Sequence, residues 1–576
     1  MKNIFFISEV LALIMVLLMP AVGPFNKPVA TIQYEKQNII SCAPGIDDFS
    51  PKDVNGKYIP LLTGWGHHSY SITTNSDSAQ IYFNQGLNFY YGYHFREALA
   101  SFKESARFDS TCAMAYWGQA LASGPYYNDY YYKMKKGIAE ILQLMNKYAT
   151  SGTAKEQDMV QAMNQRYSGD TTNSDRPQLD KNYATALSSL IKKYNSDNDI
   201  KALYIDAMML IHRWDFWNND GSPKSWTPGM VSLCEEVLKH EPDHPAALHY
   251  YIHVTEASRQ TKLALHSADV LKDVMPGVSH MVHMSTHMYQ RNGLFVKGVE
   301  VNEEANNVFN KVDSLAPVLN YGKNAVIHIY AVQSYCAMNA GMYNKAMPVY
   351  ERARNRLILA RKPDFPNDPY NQFVYMIPEI AAVRLGKWED ILGSPAPGVD
   401  WKYARVLDYF AKGMAYVHRN DVNAAKACLD SLQLNLQDSL LNVRLMPFNT
   451  PAQSGRIAAA ILKGEIFYEE KKWSESLAAF HEAVAEEDGE TYREPPDWFI
   501  PARQYLGAYL LQMNKAREAE QVYREDLVWN PGNGWSLLGL YQSLMKQHKT
   551  KEAAAYKTRY AKAFEEADVD IKASVF

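Results

Sequence analysis

Imidazole is the side chain that most readily holds a borderline-soft metal ion near neutral pH, and this chain gathers its imidazoles. The segment SHMVHMSTHMYQRNG, Ser279 to Gly293, places His280, His283 and His287 within eight residues, and HPAALHYYIHVTE carries His244, His249, His253 and Glu256. Seven of the sixteen histidines fall between His244 and His287. On a helix, residues four apart share a face, so His249/His253 and His283/His287 form two facing pairs. Glu256 sits one turn past His253, and His280 one turn before His283. Two such helices packed about 8–10 Å apart let imidazoles from both reach a common ion, at metal–nitrogen distances of about 2.0–2.1 Å. The expected metal ligands are His249, His253, Glu256, His280, His283 and His287, with Glu256 acting as a ligand or orienting a histidine from behind. This donor set suits zinc, copper or iron and does not choose between them. Met281, Met284 and Met288 fall off that face and read as core filler. HYYIH lacks the glutamate of HExxH, so zinc-protease chemistry of that class is not expected. The competing reading is a metal-free histidine groove that binds an acidic or aromatic ligand or senses pH.

The elements that must position these residues are helices. From Ala79 onward strand-like alternation is scarce, and turn signals such as NPGNG (530–534) punctuate helical runs. In GLNFYYGYHFREALASFKESARFDS, Gly86, Phe89, Tyr93, Ala98, Phe102 and Ser110 fall on the small, aromatic and turn positions of a 34-residue period. The same frame fits Gly464, Phe467, Trp473, Phe480 and Ala483, and again Gly507, Ala519, Tyr523 and Pro531. Units start near 79, 113, 245, 279, 327, 406, 457, 500 and 534. This pattern resembles the tetratricopeptide repeat, which implies an all-α, right-handed α-solenoid of stacked helix pairs, about nine to eleven in this chain. In such domains the second, fifth, ninth and twelfth positions of the first helix line a concave groove. The resemblance therefore implies that all six expected ligands point into one trough, with His328 at its upper edge.

YFNQGLNFYYGYHFREA, CAMAYWGQAL, HPAALHYYIH, HMSTH and EPPDWFIPARQYLGAYLL together resemble a narrower group of exported bacterial tetratricopeptide proteins. Where that group carries HMPSH, this chain has Ser285 in place of proline and keeps both histidines. That resemblance implies a fold and a compartment but no activity.

The chain divides on this reading into an export signal or N-terminal anchor (1–25), a non-repeat segment (26–78), first repeats (79–124), irregular helical pairs (125–244), central repeats with the histidines (245–392), C-terminal repeats (401–565) and a tail (566–576). Lys2 followed by the apolar run VLALIMVLLM has signal-peptide proportions, so export to the periplasm, cell envelope or exterior is expected, with membrane attachment only through the N-terminus. A net charge of −4 and no basic run give no electrostatic case for nucleic acid. The five cysteines are scattered and form no disulfide framework. No P-loop, dinucleotide fingerprint or GxSxG elbow is present, so any catalysis must draw on the metal, with Glu256 or Tyr289 nearest for proton transfer. His67 and His68 read as loop residues, His94 as a turn residue, and Asp497 as a cap at a helix begun by Pro495 and Pro496. The functional expectation is an exported scaffold that holds a protein or peptide in its groove and carries a histidine metal site. The alternatives are a metal-dependent hydrolase or oxidase, and a metal-free interaction scaffold.

Overall fold

In three helix pairs a glycine on the first helix leaves room for a ring from the second. A side-chain carbon added to Gly86, Gly464 or Gly507 would lie 2.8, 2.6 or 2.5 Å from the ring of Phe102, Phe480 or Tyr523. The separation is sixteen residues each time, so one packing rule is repeated along the chain. The turns repeat as well. Tyr93, Gly293, Gly341, Gly386, Asn420, Lys471, Asn514 and His548 all have φ between 57° and 74°. After each, the next residue's N–H bonds back to the carbonyl five residues earlier, as in His94 to Phe89, Leu294 to Tyr289 and Lys472 to Phe467, each at 2.9 Å. This is the hydrogen-bond closure of a helix that ends in a left-handed residue. Only glycine adopts that conformation without cost, yet five of these eight positions are not glycine, so the packed pairs enforce the turn.

The computed structural model describes residues 56–129, 132–168, 175–315, 324–360, 365–443 and 449–576. Expectations for the signal segment and the remainder of 1–55 lie outside the described residues. Among the described residues the fold is all-α, twenty-five α-helices from Asp77–Tyr91 to Thr550–Ala563, stacked as a helical-repeat solenoid. None is long and apolar enough to cross a membrane. Helices begin at Asp77, Ala113, Pro245, Ser279, Asn324, Lys402, Pro451, Ala502 and Gly534. Among the described residues, the stretches 122–137 and 212–226 contain no α-helix.

Both flanks of the solenoid converge on its central helices. On the N-terminal side, Gly277 N–H donates to the Gly64 carbonyl (2.8 Å). On the C-terminal side, the turn at Gly293 meets the turn at Gly532 backbone to backbone, with no space for a side chain at either. Arg291 donates to the Trp529 carbonyl (3.1 Å), Trp535 Nε1 to the Asn339 carbonyl (3.1 Å), and Asp568 accepts from the backbone N–H groups of Tyr343 and Lys345. The histidine face is therefore closed by the chain itself and is not an open trough. Tyr91 at the end of the first helix, Tyr93 just after it, Tyr127 from one irregular loop and Trp214 from another cover it.

Candidate metal centre

Three helices present the imidazoles. His249 and His253 stand on Pro245–Thr255, which Glu256 caps. His280, His283 and His287 stand on Ser279–Arg291, and His328 on Asn324–Asn339. The first of these helices starts at Pro245, where a missing N–H costs nothing, and His244 Nδ1 accepts the Ala247 N–H (3.4 Å). All seven side chains, Glu256 included, are 0–6% exposed.

Hydrogen bonds at one ring nitrogen fix what the other can do. His249 Nδ1 lies 2.6 Å from the Tyr91 carbonyl, which can only accept. His253 Nδ1 and His287 Nδ1 lie 3.2 and 2.5 Å from the two oxygens of Glu256. His283 Nδ1 lies 2.7 Å from Asn302 Oδ1, and that amide is oriented by Nδ2 donating to the Gly298 carbonyl (2.7 Å). Each of these four rings, when neutral, carries its proton on Nδ1 and presents a bare lone pair at Nε2.

Those lone pairs face other imidazoles. His283 Nε2 and His287 Nε2 are 3.2 Å apart, and His249 Nε2 and His280 Nε2 are 3.1 Å apart. Two nitrogens bound tetrahedrally to one ion at about 2.05 Å span about 3.3 Å, so both separations are near the edge of a metal tetrahedron. Beside each pair stands a third histidine, His253 or His328, whose buried Nε2 has no hydrogen-bond partner among the described residues. Ring nitrogens of His249, His253 and His280 lie within 4.8 Å of one another, and so do those of His283, His287 and His328.

Burial lowers five of these six imidazoles, His249, His253, His280, His283 and His328, and favours their neutral form. It pushes His249, His280 and His328 well below the ordinary histidine range, reinforced by neighbouring histidines, and takes His283 down to about 3. His253 is lowered by burial against the pull of Glu256. Burial alone would raise the Glu256 carboxyl, but His287 and His253 outweigh it and bring it to about 2. Glu256 is thus a carboxylate with both oxygens engaged on Nδ1 atoms. It orients two imidazoles, one on each helix, and its carboxylate forms a third group of donor atoms within 4.8 Å of one another with ring nitrogens of His253 and His287.

Several expectations are corrected. His328 belongs inside the cluster, its ring centroid 5.0 Å from that of His283; its place in the repeat frame, equivalent to His280, was the available signal. Asn302 and the Tyr91 carbonyl had no sequence signal, because an asparagine and a backbone oxygen look alike everywhere. Tyr289 points away from the centre, donating to Asp269 (2.8 Å), so it is not a proton-transfer group there. His68 is more than a loop residue. Its Nε2 lies 2.8 Å from Asp199 Oδ1, which also accepts from Tyr91 (2.7 Å). With His244 these form a further cluster of donor atoms, but His244 Nδ1 takes a backbone N–H, so its Nε2 carries the proton and offers no lone pair. Asp497 caps no helix, since the helix starts at Ala502; it accepts from Asn449 (3.0 Å) and Arg493 (2.6 Å).

A pocket lies behind the cluster, with room for about 140 Å³, the volume of a single six-membered ring. Trp214, Trp217, Trp529 and Tyr492 form aromatic walls, and Gln290, Arg291 and Glu494 supply polar groups. The amide of Gln290 and the carboxyl of Glu494 are buried without hydrogen-bond partners among the described residues. Trp214 is the divider, its ring set edge-on to His253 at 5.8 Å.

No protein-family model matches the chain, and no curated protein matches it. Among solved structures, similar chains include the human IFIT1 dimer with m7Gppp-AAAA (13% identity, TM-score 0.31, covering 85% of this chain and 91% of that one). Yeast Tom70 shows 13% identity and a TM-score of 0.29, over 85% of this chain and 99% of that one. The Cut9-Hcn1 assembly of the APC/C shows 12% identity and a TM-score of 0.28, over 85% and 76%. At such scores nothing about ligands or partners carries over.

Proposed function

We propose that this chain is a metal-binding helical-repeat protein whose interior histidines hold a transition metal through their Nε2 atoms. The observation that carries this reading is the His283–His287 pair. Both rings have Nδ1 committed as a donor, and their Nε2 lone pairs meet at 3.2 Å inside the protein. Two lone pairs at that distance repel unless a proton or a metal ion lies between them, and an interior lined by further imidazoles supplies the donor chemistry for a transition metal. The supporting groups follow the usual logic of a metal site, in which each ligating ring is oriented through its other nitrogen.

The test is the metal content of full-length protein purified without chelators or an affinity histidine tag, beside the His283→Ala/His287→Ala double variant. A transition metal present in the first and lost in the second supports the reading. Absence of metal from both, even after reconstitution, removes it.

A second reading, a metal-dependent enzyme acting on a small molecule, is favoured over peptide capture at the histidines by the closed face and the adjoining pocket. An extended peptide has no free surface at this face, because Tyr93, Tyr127 and Trp214 already cover it. Export to the cell envelope belongs to the same proposal and rests on the apolar segment of residues 10–19; a reporter fused after residue 55 tests it by its compartment.

A further inference from the structure

The cluster has an internal repeat. On one side, His249 and His280 face each other through Nε2 at 3.1 Å and His253 Nε2 stands buried beside them. On the other, His283 and His287 face each other at 3.2 Å and His328 Nε2 stands buried beside them. Each group offers three mutually close ring nitrogens, and no histidine is shared between the two. One tetrahedral ion takes four ligands and would leave buried imidazoles unused as unsatisfied polar groups. Two ions use all six.

We propose that the centre holds two metal ions, one on His249, His253 and His280 and the other on His283, His287 and His328, with Glu256 as the common support. This rests on the reading above that the cluster binds metal. Glu256 holds Nδ1 of one imidazole from each group, His253 through one oxygen and His287 through the other. The groups adjoin: ring centroids are 5.9 Å apart for His253 and His287 and 6.1 Å apart for His280 and His283. These distances resemble the 4.8–6.3 Å found within each group.

The charge of the donor set narrows the ion. Six imidazoles bring no negative charge, and Glu256 supplies a single carboxylate. Two bare dications would place a large uncompensated charge in a buried site, which is strongly unfavourable. Copper(I) halves that charge and suits imidazole ligands. Three ligands per ion leave a position open on each, and because the groups adjoin, a small oxygen-donor molecule such as hydroxide can bridge them.

The experiment is stoichiometry on the full chain. Metal-free protein is titrated with copper(I) under anaerobic conditions and separately with zinc(II), and bound metal per chain is measured after desalting. Two equivalents are expected for the wild type. One is expected for His249→Phe and one for His328→Phe, each of which empties a single group, with circular dichroism confirming that the variants fold. One equivalent in the wild type overturns the two-ion inference and leaves the metal reading standing. No bound metal overturns both. X-ray absorption on the loaded wild type needs no variant: metal–metal scattering at about 3.5–4 Å is expected, and its absence in a sample carrying two equivalents overturns the adjacency.

Discussion

His283 and His287 stand one turn apart on the same helix and meet at Nε2, because opposite supports hold their other nitrogens. Asn302 from the next helix holds His283, and Glu256 at the end of Pro245–Thr255 holds His287. Neither ring can turn its proton inward without breaking a buried hydrogen bond.

Asn302 should therefore matter to metal affinity while touching no metal. Asn302→Leu is expected to weaken binding by about 10–100-fold, with a stability loss of about 1–3 kcal/mol from the unsatisfied His283 N–H. Competition with a chromophoric chelator reads the affinity. Asn302→Asp keeps the acceptor and should recover part of it. Equal affinity in wild type and Asn302→Leu would remove the orienting role.

Glu256→Gln tests the shared support. A glutamine offers one acceptor where two Nδ1–H groups need one each, so one ring must flip its tautomer or lose its bond. Affinity for metal should fall about 10–100-fold. If the two-ion arrangement holds, both binding events weaken, since the carboxylate supports a ring in each group. A variant that weakens only one event would show that Glu256 serves a single ion.

Stability should be sensitive at Gly464, far from the histidines. A side-chain carbon there would lie 2.6 Å from the Phe480 ring, so Gly464→Val is expected to cost about 1–3 kcal/mol by overpacking. A lowered Tm with an unchanged metal stoichiometry is the expected pattern.

Glu465 should give the protein a pH-dependent stability that has no connection with the metal. Burial pushes its carboxyl up to about 8, with Glu469 adding to the rise and Tyr509 opposing it. His418 Nε2 lies 3.6 Å from one oxygen, and burial holds that imidazole down at about 4. The folded state therefore keeps a proton on Glu465 that the unfolded chain releases near its ordinary value of 4.5. Stability from this group is fully present below about 4.5 and lost as pH rises toward 8. Across that window the loss is on the order of 5 kcal/mol. Glu465→Gln should flatten the fall in Tm between pH 5 and pH 9; an identical fall in the variant would assign the effect elsewhere.

Much of the architecture was legible in residue spacing. Gly86 with Phe102, Gly464 with Phe480 and Gly507 with Tyr523 recur at one interval because a helix pair needs a gap opposite a ring, and that requirement is local. The two histidine pairs were legible for the same reason, since four residues make one turn. Where the period fails, at 122–137 and 212–226, sequence offered no rule for placing Tyr127 or Trp214, and both cover His253.

By itself, then, the sequence determined the helices, their pairing and the side of each helix on which His249, His253, His283 and His287 stand, all of which follow from short-range periodicity. Tertiary structure alone decided that this side is closed, that His328 completes a second group of three, and that Glu256 supports an imidazole from each group. It also decided which nitrogen of His249, His253, His283 and His287 is free. Those outcomes depend on contacts between residues far apart in the chain, Tyr91 with His249 and Trp529 with Arg291 among them, and no local spacing encodes them.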